Sequence, residues 1–238
     1  MMRRLTLSLV ATGGLSLSLV ATGGLSIAAI AAPEPERLRG TVSAVSANEL
    51  TVRTATGEVS MSLGGDTKYL TAARSDLSHI TTDSYIGVAA KNVGDKLVAL
   101  DVLIFPLSMK GAAEGHFGWD RVPDTTLARG ARTASSMTNG SVAAVAGGGS
   151  GATTNSTMTN GSVAAASGRG GARQLTVTYK GGEQMIIVPP TAPVVTLQFG
   201  AVSDIKPGDA VFVNATADGG KTTAGLIIVG TDGAAPPI

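Results

Sequence analysis

Displaced by 125 residues, the chain overlays itself: segment 50–104 falls on 175–229 without a gap, with 13 identities in 55 positions. Leu50-Thr51-Val52 meets Leu175-Thr176-Val177, Gly57-Glu58 meets Gly182-Glu183, and Gly94, Lys96 and Ala99 meet Gly219, Lys221 and Ala224. Several other pairs set apolar on apolar, as Ile86 on Val211 and Val102 on Ile227. An unbroken register of that length implies descent from one unit, and two copies of one unit share one fold. Each copy is too long for a solenoid repeat and long enough for a small domain.

Within each copy the apolar pattern has period two, as in Val42-Ser43-Ala44-Val45 and Glu58-Val59-Ser60-Met61-Ser62-Leu63, which marks strands with one face inward. Turn residues punctuate the pattern at Ala47-Asn48, Thr56-Gly57, Gly64-Gly65 and Gly94-Asp95, then at Gly181-Gly182 and Asp218-Gly219-Gly220. With 32 glycines, 3% aromatic and 15% charged residues, the composition also fits a turn-rich β protein rather than a helical bundle. Five or six short strands cannot bury both faces of a flat sheet, so closure into a small barrel is the natural solution. The expected fold is therefore all-β: two tandem small OB-like β-barrels over 37–105 and 158–230, joined by a long Gly/Ser/Ala-rich connector and followed by a tail, 231–238. A pair of small β-sandwiches is the alternative, because spacing does not reveal strand order.

Arg3 and Arg4 precede a run from Leu5 to Ala32 without charge, which closes on Ala29-Ile30-Ala31. That is the pattern of a secretory signal peptide, 1–31, cut after Ala31. Its core is a tandem duplication at 5–14 and 15–24, long enough to span a bilayer, so an uncleaved anchor is the alternative. The glycine pairs at 13–14 and 23–24 weaken a spanning helix, and no later segment is apolar for long enough. A soluble periplasmic or extracellular protein is expected, with no stable membrane span after cleavage. Without Arg3 and Arg4 the chain carries 16 basic and 17 acidic side chains, which offers no electrostatic reason to bind nucleic acid or anionic lipid.

The connection between the copies has two parts. Residues 106–128 form an aromatic-bearing connector, and 105–120 hold three of the chain's eight aromatics, Phe105, Phe117 and Trp119. Residues 129–157 are mostly Gly, Ser, Thr and Ala without an aromatic, and such a composition is expected to stay a flexible loop. Met-Thr-Asn-Gly-Ser-Val-Ala-Ala occurs at 137–144 and again at 158–165. Its distance from Leu175 places the second copy as the first strand of the rear module, matching Gly40-Thr41-Val42, with the first copy left in the loop.

Arg39-Gly40-Thr41-Val42, Leu50-Thr51-Val52, the Ile104-Phe105-Pro106 exit with Met109, Gly111, Glu114-Gly115-His116 and Trp119-Asp120, then Met158-Thr159-Asn160 and Tyr179–Gln184 follow one another in order. This arrangement resembles a family of exported proteobacterial proteins of unknown function, over most of the chain beyond the signal. The resemblance implies tandem OB-like β-barrel domains and assigns no activity. The duplicated signal core and the extra Met-Thr-Asn-Gly copy depart from the family's pattern.

Chemistry-bearing residues are few. The chain has no cysteine, which removes disulfides, thiolate nucleophiles and iron–sulfur ligation, and it has two histidines, His79 and His116. Glu114, His116 and Asp120 put one imidazole and two carboxylates within seven residues, a set able to meet a divalent metal beside sheltering aromatics. The plainer reading is a connector whose Phe105, Phe117 and Trp119 pack on a barrel or contact a ligand, its polar groups solvated. Ser203 and Lys206 have the spacing of a serine acyl enzyme, but Thr81 stands where a lysine would in the front copy and Pro207 follows, which indicates a turn. Gly219-Gly220-Lys221-Thr222 lacks the first glycine of a phosphate loop, since Ala215 holds that place, and reads as a hairpin. His79 reads as a surface or capping residue. Single-strand nucleic-acid binding would need aromatics along a basic groove, and the front module offers only Tyr69 and Tyr85 before Phe105 at its end. The favoured expectation is an exported, non-enzymatic binding or accessory protein of the bacterial envelope, its partner an envelope protein, a glycan or a small ligand. A divalent-metal-handling accessory and a carboxylate-dependent hydrolase are the alternatives.

Overall fold

The structure is a computed structural model that describes residues 34–127, 131–147 and 171–236. The expected signal peptide and the second Met-Thr-Asn-Gly copy lie outside the described residues. Twelve strands follow one another: β1 (Glu34–Val45), β2 (Glu49–Thr54), β3 (Gly57–Ser75), β4 (Tyr85–Val93), β5 (Lys96–Ile104), β6 (Gly115–Pro123), β7 (Arg132–Ala146), β8 (Arg173–Tyr179), β9 (Gly182–Val188), β10 (Val194–Phe199), β11 (Ala210–Asp218) and β12 (Lys221–Gly230). The remaining elements are single 3-10 turns at Leu77–His79, Leu107–Met109 and Val202–Asp204. The fold is all-β, and among the described residues no helix is long and apolar enough to cross a membrane.

All twelve strands belong to one mixed sheet whose pairings return on themselves twice. In ring one, β1 pairs β2, β2 pairs β3, β3 runs parallel to β12, β12 pairs β11, and β11 pairs β1. In ring two, β7 pairs β8, β8 pairs β9, β9 runs parallel to β5, β5 pairs β4, and β4 pairs β7. Each ring thus takes three strands from one copy of the repeat and two from the other. The spans 37–105 and 158–230 are not self-contained sheets: the two copies have exchanged their last hairpins. Strand order has this freedom because an exchanged hairpin makes the same ladder and buries the same side chains as an unexchanged one.

The strands from β2 to β5 match those from β8 to β12 under the 125-residue shift, and β1 matches β7 under a shift of 100, irregularities included. A bulge interrupts β4 and β5 between Ala89 and Ala90, and its counterpart interrupts β11 and β12 between Asn214 and Ala215. Gly208 N donates to Val42 O at 2.9 Å and Val42 N donates to Asp209 O at 2.9 Å; in the other ring Asp83 N donates to Val142 O at 2.8 Å and Val142 N to Ser84 O at 2.9 Å. β10 lies antiparallel on β3 with Leu197 opposite Ala72, two residues of the same repeat position, so the two-fold relating the copies passes there. One element differs in continuity. β3 runs unbroken for 19 residues, whereas its counterpart is split into β9 and β10 by Pro189, Pro190 and Pro193, which lack the N–H a ladder needs.

β7 overturns the expected loop over 129–157. Residues 137–144 are part of a 15-residue strand, and it is this first copy of Met-Thr-Asn-Gly that stands where β1 stands in ring one. Composition misled because the slot wants small residues. Thr138 is fully buried, and a Cβ on Gly140 would lie 2.3 Å from Thr178 O. Gly40 is as crowded, with Arg53 O 2.1 Å from its would-be Cβ.

Each ring holds its own core. Val42, Leu50, Val52, Met61, Val213 and Ile227 fill ring one; Val142, Leu175, Val177, Ile186, Val88 and Val102 are their equivalents in ring two. A third cluster, Leu70, Ala72, Leu103, Val195, Leu197, Phe212 and Ile228, lies on the outer faces and welds ring to ring. At about 1.5–3 kcal/mol for each large apolar side chain buried, that weld is strong enough to hold the rings as one body.

Candidate functional site

β6 and β10 belong to neither ring, and whereas β10 bridges β3 and β5, β6 has a single ladder neighbour among the described residues. That neighbour is β7, with His116 opposite Thr138, Phe117 opposite Met137 and Trp119 opposite Ser135. Alternation therefore sends His116 to one face and Phe117 and Trp119 to the other. The register shifts between Trp119 and Val122, which lets Asp120 reach across to ring one.

There Asp120 meets two arginines from alternate positions of β1. Arg37 Nε lies 3.1 Å from both carboxylate oxygens and its Nη2 2.8 Å from Oδ1, while Arg39 Nη1 lies 2.8 Å from Oδ2. Arg37, then Arg39, hold this carboxyl below the usual range against the opposing push of partial burial. The Arg37 guanidinium also sits 4.2 Å from the centre of the Trp119 ring, and Arg39 sits 5.1 Å from that of Phe212, its ladder partner on β11. Phe117 packs edge-on against Trp119 at 5.9 Å and remains 39% exposed. The result is a strap: β6 leaves ring two and is fastened to ring one by a fork of charge-assisted bonds and a cation–π stack.

Asp101 lies within reach of the Arg39 charge. It occupies the middle of the apolar run Leu97–Ile104 on β5 and is 5% exposed, with no hydrogen-bond partner on Oδ1. Burial raises its pKa to about 7, against the opposing effects of the Ala89 backbone N–H and the Arg39 charge. A carboxyl poised near neutrality is what acid–base chemistry uses, but such a group must reach a substrate, and this one is enclosed. Trp119 Nε1 is likewise buried without a partner.

The expected metal trio is not brought together. Asp120 is neutralised by two arginines; His116 Nδ1 is 2.8 Å from Thr138 Oγ1 and its ring stacks on Tyr179 at 6.4 Å; Glu114 is exposed on the turn before β6. Among the described residues no three His, Asp or Glu side chains gather as a metal-holding group. The aromatic expectation fares differently. Phe105 and Trp119 both pack on the cluster between the rings, Phe105 tilted against Tyr85 at 5.6 Å and filling the space over Gly87, and Phe117 extends the surface to solvent. Two open clefts, of about 700 and 390 Å³, contain none of these residues; the larger is lined by Leu77, Arg173 and Pro190, the smaller by Lys206, Asp209 and Asp232. His79 is a surface residue 3.5 Å from Asp76, and Ser203 and Lys206 fall in and just after a 3-10 turn. Arg37, Arg39 and Phe212 carried no local signal, because what makes them a site is the hairpin exchange. Asp101 carried one: a lone acid inside a buried strand run.

No protein-family model, curated protein or solved structure matches the chain.

Proposed function

We propose that this chain is an exported, non-enzymatic binding or accessory protein of the bacterial envelope, acting in the periplasm or outside the cell. We read each ring as an OB-like barrel, since the strand order 1-2-3-5-4 with a parallel closure between the third and fifth strands is the OB connectivity. The observation that carries the functional reading is the aromatic strap. Exposed Phe117 on β6 and Arg37 on β1 flank the half-buried Trp119 and form an edge of flat, amphipathic groups, residue types that dominate binding hot spots, and the outer edge of β6 has no ladder partner among the described residues. The state of two acids near the strap supports reading it as a binding surface: Asp120 is committed to Arg37 and Arg39, and Asp101 is enclosed.

The test uses Trp119, the chain's one tryptophan, as its own reporter. Peptidoglycan fragments, lipopolysaccharide oligosaccharides and purified envelope proteins are titrated while its emission is followed. A saturable shift that Phe117→Ser abolishes supports the reading. Robust hydrolysis of an ester, peptide or glycoside substrate by the same preparation refutes it.

A further inference from the structure

The slot that β7 occupies between β4 and β8 has strict requirements. It buries Met137 and Val142, encloses Thr138, and admits only glycine at 140, where a Cβ would meet the Thr178 carbonyl. Residues 158–165 repeat all eight residues of 137–144, glycine and both buried apolar positions included. The copy sits on the connection that must lead into β8. In ring one Val45 stands opposite Leu50 and the chain turns within residues 46–49; in ring two Val145 stands opposite Leu175, and 29 residues lie between them. From Ala165 the nine residues 166–174 suffice for the same turn, as a residue spans up to about 3.3–3.6 Å. The occupant seen has one advantage: Val145 packs on the ring core, and the residue in that place after the second copy is Ala166.

We propose that ring two's slot is a binding site for either copy of Met-Thr-Asn-Gly-Ser-Val-Ala-Ala, so that 158–165 replaces 137–144, and that the replacement lifts β6 off ring one. The second step follows from the ladder. β6 is held by β7 and by its grip on Arg37 and Arg39, so a displaced β7 takes β6 with it and Trp119 leaves the Arg37 stack. The exchange stands whether or not the strap binds a ligand, since its readouts are stability and the surroundings of Trp119.

Four variants of the full chain test it. Gly40→Val breaks ring one, where no second copy exists, and sets the scale, a fall in Tm of about 10 °C or more. Gly140→Val is expected to stay close to the wild-type Tm while Trp119 emission moves to the red, because 158–165 takes the slot. Gly161→Val leaves both readings unchanged, and Gly140→Val with Gly161→Val falls as far as Gly40→Val. The proposal is overturned if Gly140→Val alone is as destabilised as the double variant, or if it keeps both its Tm and its Trp119 emission.

Discussion

The two sides of the seam between the rings solve one problem with different residues. On one side Phe212 grows directly from β11 into the weld; on the other the same repeat position is Gly87, and Phe105 reaches over it from beyond the end of β5. The position equivalent to Phe105 is in turn Gly230, whose would-be Cβ is crowded by the Ala234 carbonyl. Ring and void have traded places. The polar contrast is sharper: Arg39 and Asp101 on one side answer to Asn139 and Leu226 on the other. A duplicated scaffold kept its backbone to the level of single bulges, and it diverged where the copies touch each other.

The largest test of this comparison removes the ring that grows from the strand. Phe212→Ala should cost about 3–5 kcal/mol in denaturant unfolding, because the side chain is buried and its cavity lies at the weld. Phe105→Ala should cost less, since Phe105 is half-buried. Equal losses would mean that the two aromatics share the load.

Next is Asp101. Its carboxyl keeps a proton in the folded state up to about pH 7 and releases it near 3.8 when unfolded. The folded state therefore holds the extra proton between those values, and stability falls as pH rises through that window. At 1.36 kcal/mol per unit the whole effect is about 4 kcal/mol, of which Asp101→Asn should recover about 2 kcal/mol at pH 8, the amide needing partners of its own. Asp101→Leu, which makes this side resemble Leu226, should abolish the slope as well. Thermal melts from pH 4 to 8 that fall equally in wild type and variants would rule the mechanism out. Asp120 acts in the opposite sense and at lower pH: its depressed value stabilises the fold above the ordinary carboxylate range, and that contribution is lost on acidification.

Asp120→Asn should cost about 1 kcal/mol and make Trp119 emission insensitive to salt, as the fork to Arg37 and Arg39 is partly exposed and screened. The smallest expected effect is at the turn before β4. Asp83 has φ of 70°, where the other copy has Gly208 at 96°, so Asp83→Gly should stabilise by about 0.5 kcal/mol, read as a small rise in Tm.

Much of this architecture was legible in the chain. The ungapped register forced equivalent elements, and period-two alternation at Leu50, Val52, Met61 and Leu63 placed strands and their inward faces correctly. Two things were hidden. Hairpin exchange leaves no trace in periodicity, since β4 and β5 present the same inward side chains to either ring. β7 was hidden because small polar residues are usually a loop signature, and in a crowded slot they are the ones that fit. The site followed suit: Trp119 and Phe117 stood out as rare aromatics, while Arg37, 83 residues away from its carboxylate partner Asp120, did not.

Hairpin exchange also fixes when this protein can become itself. β1, the first of the described strands, finds one of its two neighbours in β11, the eleventh of them, so β1–β3 carry raw edges until β11 and β12 have been made. Closure over such sequence separations is slow and leaves exposed strand edges open to mispairing with other chains.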